Sequence, residues 1–307
     1  MKRSHTNHHW VFSSRISFSQ ADRVLPIAAL LTAVLLWGGS FSAMRLAIMA
    51  LGPWVVMWLR MVIALLIVLP FSGRLRIDAY QKGDWRLLVP MVLFQPCLYF
   101  LLESYALRYT TSSQAGVISA LVPLMVAVGA WLLLAESVSR SVFAGLFFSV
   151  VGVVVLSIAG DQKNAASNPL LGNFLELGAM ASAAVNMIIV KRLCDRYNPW
   201  MLTALQVLAG TVFFLPGLIS LVRGPMVPWS IQLVSSILFL GGLVTLGAFG
   251  LYNWAMSRIP ASRASIFINL VPVIAVIIGW TVMGESLNVL QCVAAACVLF
   301  GVAISQT

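Results

Sequence analysis

Apolar residues run along this chain in stretches of about 20, separated by short polar and basic segments instead of alternating with them. At ~1.5 Å per helical residue, such a run spans the ~30 Å of a bilayer's hydrocarbon. The pattern predicts ten helices, at 26–48, 53–71, 86–107, 113–134, 141–159, 170–191, 199–221, 230–256, 262–283 and 287–305. Gly52-Pro53, Asn198-Pro199 and Ile259-Pro260 punctuate three of the joins. Residues 1–25 are polar and lack the apolar core and cleavage site of a signal peptide, so a mobile cytoplasmic tail is expected there.

One stretch occurs twice. Tyr105 to Leu156 carries Ala120-Leu121-Val122-Pro123, Trp131, Glu136-Ser137 and Gly152-Val153. Moving 149 positions along gives Asn269-Leu270-Val271-Pro272, Trp280, Glu285-Ser286 and Gly301-Val302, with eleven identities over 52 ungapped positions. A period of half the chain means two copies of one unit, not a solenoid.

Composition narrows the class. The chain is 61% hydrophobic and 9% charged, too little charge to cover a soluble protein of 307 residues. A polytopic membrane protein is expected. The net charge of +10 does not signal nucleic acid, because the basic residues sit between the apolar runs. With the amino terminus inside, fourteen Lys and Arg fall on inner segments, and four (Arg45, Arg108, Lys163, Arg223) fall on outer ones. The positive-inside rule then places both termini in the cytoplasm, with the loop near 160–168 outside.

Each copy holds five helices, an odd number, so the second must cross in the opposite sense. The expected architecture is all-α and integral to the membrane: ten transmembrane helices as two inverted five-helix repeats, 26–160 and 161–307. The early helices align at a slightly different spacing. Pro53-Trp54 matches Pro199-Trp200, which sets Arg60 opposite Gln206, Ser40 opposite Asn186 and Arg45 opposite Lys191. Inverted repeats exchange inner and outer gates around a midplane site, the logic of alternating access; a channel can use them too.

Trp37-Gly38-Gly39-Ser40-Phe41, Pro53, Arg60 and the doubled Pro…Glu…Gly-Val block together resemble the ten-helix EamA branch of the drug/metabolite transporter superfamily. The likeness covers nearly the whole chain after residue 25. It implies a bundle of helices 1–4 and 6–9 around a central cavity, with helices 5 and 10 to the side. It also implies export of amino acids or related metabolites.

Several residues are candidates for chemistry. Pro123 and Pro272 lie near the middle of helices 4 and 9, where each displaces the carbonyl four residues back, on Ser119 and Ile268. Such carbonyls are tolerated in hydrocarbon only against protein or a wet cavity. The prolines are therefore either packing kinks or hinges, with Ser119 and Asn269 as neighbouring polar contacts. Glu136 and Glu285 are expected to cap helices 5 and 10. Arg45, Arg60, Glu103 and Glu176 are the ionisable residues in or near the spans, where a charge costs ~2.5–3.5 kcal/mol. Arg45 and Glu103 are near enough to helix ends to snorkel. Arg60, ~10 Å into its helix, either pairs with a carboxylate or binds or gates a carboxylate or phosphate substrate.

Trp37, beside small residues in mid-helix, is expected to line the cavity. Ser40, Asn186 and Gln206 complete the candidate binding or gating set. Glu103 and Glu176 are candidate coupling carboxylates. Tyr99, Tyr105, Tyr252 and Trp254 are expected in the interfacial aromatic belt. Gly145, Ser149 and Gly152 form one small face, read as packing. His5, His8 and His9 belong to the polar tail, and Cys97, Cys194, Cys292 and Cys297 have no metal spacing and read as packing residues.

The function read from these features is a secondary transporter exporting a small polar metabolite such as an amino acid. Efflux of drugs or lipophilic cations is the alternative. Two arginines beside two glutamates make a near-neutral set that suits a zwitterion or anion better. An intramembrane enzyme or a receptor is the reading from another class; no histidine lies in a span, and His-Glu-x-x-His, Gly-x-Ser-x-Gly and the Walker motif are missing. Expected partners are a small-molecule substrate and bilayer lipid, with a proton as candidate coupling ion and self-association left open. Nucleic acid, cofactor and metal are not expected. The expected location is the cell (inner) membrane.

Overall fold

The computed structural model describes residues 20–74, 80–134, 139–159, 167–259, 264 and 267–305. Expectations attached to His5, His8, His9, Glu136 and most of the 160–168 loop lie outside the described residues. Within them every regular element is helical.

The chain runs through α1 (Gln20–Leu51), α2 (Pro53–Val68), α3 (Trp85–Tyr109), α4 (Ser112–Ser119 continued by Val122–Leu134) and α5 (Arg140–Ile158). It returns through α6 (Pro169–Leu193), α7 (Pro199–Phe213 continued by Pro216–Arg223), α8 (Ile231–Met256), α9 (Val271–Met283) and α10 (Val289–Ser305). Seven of these are long and apolar enough to cross a membrane, α7 adds an eighth as a bent pair, and α9 and α10 are shorter apolar helices. The ten expected crossings are thus not all met by length. Part of the first half of the 262–283 run lies outside the described residues, and α10 stops at 17 residues. The protein is an all-helical, multi-pass membrane protein.

Local sequence explains the joins and breaks. Gly52 adopts φ 80°, a left-handed turn that glycine takes without a Cβ penalty, and Pro53 opens α2 with φ already set for a helix. At the matching join, the Asn198 side chain accepts the Trp200 N–H and Pro199 opens α7. Residues 20–25 belong to α1, so helix replaces the last part of the expected tail. The run expected as one helix over 199–221 bends by 49° between Phe213 and Pro216, because proline supplies no N–H to carry the ladder on.

Prolines also correct the picture of α4 and α9. Pro123 and Pro272 do not kink continuous helices. Each stands second in a new helix, after two-residue breaks at Ala120-Leu121 and Asn269-Leu270. The turns before the breaks tighten to three-residue spacing: Leu121 N–H donates to Ile118 O at 3.0 Å, and Leu270 N–H to Phe267 O at 3.1 Å.

Apolar residues from alanine to Phe214 fill the core, and many large apolar ones face out. Phe147, Phe174, Val212, Trp280 and Val293 are all exposed, as lipid-facing side chains must be. Helices α5 and α10 form the closest helix pair. A Cβ on Gly145 would collide with the carbonyl oxygen of Gly301, and one on Gly152 would come within 2.8 Å of the Ala294 carbonyl. Ala294 and Gly301 are the residues 149 positions after Gly145 and Gly152. The contacts are reciprocal, as at a two-fold axis.

Candidate functional site

Between α1, α3, α4, α6, α8 and α9 lies a cavity of about 50 Å³, room for a few waters. Ser119 and Val122 line it beside the α4 break, and Ile268 and Val271 line it beside the α9 break. These are counterparts at a spacing of 149. Trp37 and Phe41 of α1 face it with Ala183 and Met187 of α6, counterparts at 146. The carbonyls that the two prolines cannot engage therefore belong to cavity-lining residues.

The remaining wall comes from two helices whose regular ladder is interrupted. α3 carries a wide-turned π segment at Leu93–Leu98, and α8 one at Phe239–Ala248. Such segments recur where a helix gives up regularity at functional sites. In α3, Gln95 is buried and extended (φ −146°, ψ 121°), and its backbone groups, freed from the helical ladder, need partners. Gln206 Nε2 donates to the Gln95 carbonyl at 3.0 Å and to Asn186 Oδ1 at 3.2 Å. Asn186 Nδ2 donates to Gln95 Oε1 at 2.8 Å, and Ser182 Oγ to Phe94 O at 2.8 Å. Asn186 and Gln206 are thus brought together, but as a brace on α3 and not as lining of this cavity.

Gln95 lines this cavity and a second, smaller one beside Met61, Phe100, Gln206 and Thr245. Gln95 was missed in the sequence, although a Gln-Pro pair inside an apolar run was the available signal.

Trp37 lines the cavity, its ring centroid 5.2 Å from Phe249 and 5.0 Å from Tyr252. Ser40 and Ser119 line it too, each hydroxyl bonded to a carbonyl three residues back. Asn269 does not line it, and its buried Oδ1 has no hydrogen-bond partner among the described residues. Tyr99 and Tyr252 are interior, not interfacial. Tyr99 lines the cavity and Tyr252 is buried.

The buried charges differ most from expectation. Arg45 does not snorkel. It is buried and pairs with Glu285 at 2.5 Å. Glu285 also accepts the backbone N–H groups and hydroxyls of Ser112 and Ser113, at 2.7 to 3.0 Å. It therefore caps α4, a helix far away in sequence, instead of α10; the positive end of any helix serves a carboxylate. Glu103 does not snorkel either. It is 3% exposed, lines the cavity and accepts the Tyr99 hydroxyl.

Arg60, 1% exposed, makes no ion pair among the described residues. Its Nε donates to Thr245 Oγ1 at 2.9 Å, its Nη1 reaches Met44 Sδ at 3.2 Å, and its guanidinium lies 4.1 Å over the Phe100 ring. A desolvated cation over an aromatic face is worth ~2 kcal/mol, which offsets part of its burial cost. Arg60 does not line the cavity. Glu176 is fully buried, and neither carboxylate oxygen has a hydrogen-bond partner among the described residues. Glu103 lies within electrostatic reach of Arg60 and Glu176, and Tyr99 within reach of all three.

The two ends of the molecule differ. At the Arg45–Glu285 end the helices are tied shut. At the other, Asp84 joins two loops: Arg196 Nη2 donates to Oδ1 at 2.7 Å, and the Tyr197 hydroxyl and Gln81 N–H donate to Oδ2 at 2.6 and 2.9 Å. These bonds, that of Arg196 foremost, hold the Asp84 carboxyl down to about 2. Beside the Arg196 loop, a recess of about 510 Å³ is lined by Cys194, Trp200, Trp254 and Arg258, among others.

Comparisons with known proteins agree with this architecture. A solved structure matches over 94% of this chain and 96% of its own, with a TM-score of 0.61 and 17% identity, which shows a shared fold. The uncharacterized transporter YetK of Bacillus subtilis (strain 168) is 25% identical over 253 residues, 80% of this chain and 76% of its own. A protein of Streptantibioticus cattleyicolor named as a probable terminal-alkyne amino-acid exporter is 22% identical over 257 residues, 84% of this chain and 85% of its own. The sequence profile of the EamA-like transporter family matches twice, over 24–158 and 170–307. The chain belongs to the EamA-like transporter family.

Proposed function

We propose that this transporter is a secondary exporter of a small polar metabolite, an amino acid foremost, working by alternating access in the cell (inner) membrane with both termini cytoplasmic. The observation that carries the reading is the cavity wall: Ser119 and Val122 face Ile268 and Val271, their own counterparts, across a break in each half. Two units of opposite sense sharing one site can open it to each side in turn. The cavity has room for a few waters and not for a metabolite, which fits a closed conformation. Pro123 and Pro272 are the hinges in this reading. Glu103 and Glu176 are the carboxylates through which a proton would couple. The amino-acid exporter among the relatives supports the substrate class. The two units are 26–160 and 161–307.

The test is uptake into vesicles reconstituted with the purified protein, screened over labelled amino acids, nucleosides, sugars and quaternary amines, with and without a pH gradient. Saturable uptake of one class above protein-free vesicles is expected. Uptake of none would sink the reading.

A further inference from the structure

We infer that the cavity receives the cationic, ammonium end of its substrate at Glu103, and that a substrate carboxylate is dispensable. The inference rests on the reading that this cavity is the transport site.

Charge balance comes first. The sequence offers two arginines for two buried glutamates, but Arg45 is held by Glu285, at the end of the molecule where α4 starts. One arginine, Arg60, remains near Glu103, and among the described residues it is hydrogen-bonded or ion-paired to neither Glu103 nor Glu176. Arg60 is therefore one positive charge set against two carboxylates, Glu103 and Glu176.

Placement comes second. Among the described residues Glu103 is the one charged side chain that lines the cavity. Arg60 is turned toward Thr245, Met44 and the Phe100 ring, so it cannot offer its fork to a substrate carboxylate in this arrangement.

The rest of the wall suits a cation on an apolar body. Trp37, Tyr99 and Phe249 line the cavity, and aromatic rings attract ammonium groups through their faces. Met180 and Met187 are unbranched and polarisable, and can reshape around an apolar skeleton when the cavity widens. A bare metal cation would instead want a shell of oxygens.

Three probes with one benzyl body separate the ends: phenethylamine, L-phenylalanine and 3-phenylpropionate, each radiolabelled and offered to reconstituted vesicles. The two amine-bearing probes should enter at least tenfold faster than 3-phenylpropionate. Glu103→Gln should cut amine uptake at least tenfold, and Glu103→Asp should retain part of it. If Glu103→Gln does not fold, the wild-type comparison of the three probes decides alone. Equal or faster entry of 3-phenylpropionate, or unchanged amine uptake by folded Glu103→Gln, overturns the inference. If another compound of the screen moves and phenethylamine neither moves nor competes with it, the inference fails while transport stands. If nothing moves at all, the transport reading fails and takes the inference with it.

Discussion

Ser149 donates a hydrogen bond to the carbonyl of Val298, the residue that stands in its own place 149 positions later. Cys297 does the same toward Phe148. A residue that touches its own counterpart lies on the axis relating two copies, so α5 and α10 meet along that axis.

This contact tolerates no added bulk, because Gly145 and Gly301 bring the two backbones together. Gly145→Leu should destabilise the protein by about 1–3 kcal/mol, the usual cost of overpacking. Thermal melting in detergent reads it. An unchanged midpoint would show that the helices separate freely.

Arg45 and Glu285 lock one end. Removing one member of a buried pair costs about 3–5 kcal/mol when the other is left uncompensated. Glu285 keeps four donors from Ser112 and Ser113 without Arg45, so the costs should be unequal. Glu285→Gln is expected to lower the melting midpoint more than Arg45→Gln. The reverse order would mean that the serine bonds contribute little.

At the other end the Asp84 cluster gives a pH dependence. Its carboxyl is held at about 2, below the ~3.9 of an unfolded chain. A depressed acid contributes stability that is fully present above the unfolded value and lost as pH falls through the folded one. Wild type should melt above Asp84→Asn at pH 6, and the gap should close between pH 4 and 2. A gap that stays constant down to pH 2 would contradict the pairing with Arg196 and Tyr197.

Much of this was legible in the sequence. Trp37, Ser40 and Ser119 stood out because a polar or aromatic residue in mid-span needs an interior face. The doubled block set Ser119 beside Pro123 and Asn269 beside Pro272, and of the two Ser119 lines the cavity. What the sequence hid was tertiary pairing. Arg45 finds Glu285 across 240 residues, and no local pattern says that Glu285 caps α4 instead of its neighbour α10. Arg60 read as a partner for a carboxylate because its real contacts, Thr245, Met44 and Phe100, are neutral and carry no charge signal. Gln95 was overlooked because one amide in an apolar run weighs little until Asn186 and Gln206 are seen to converge on it.

Sidedness can be read with two exposed positions. Met226 follows α7 and Gln81 precedes α3, and both are exposed. In intact cells a cysteine at Met226 should react with an impermeant reagent, and one at Gln81 should not. The opposite pattern would overturn the inside placement of the termini.

The central claim is that one cavity opens to each side in turn. It is tested most directly by a single cysteine at Ser119, with Cys97, Cys194, Cys292 and Cys297 replaced, in vesicles of both orientations. An impermeant maleimide should modify Ser119→Cys from either face, and a transported substrate should slow both reactions. Modification from one face alone under every condition, with uptake still intact, would contradict alternating access.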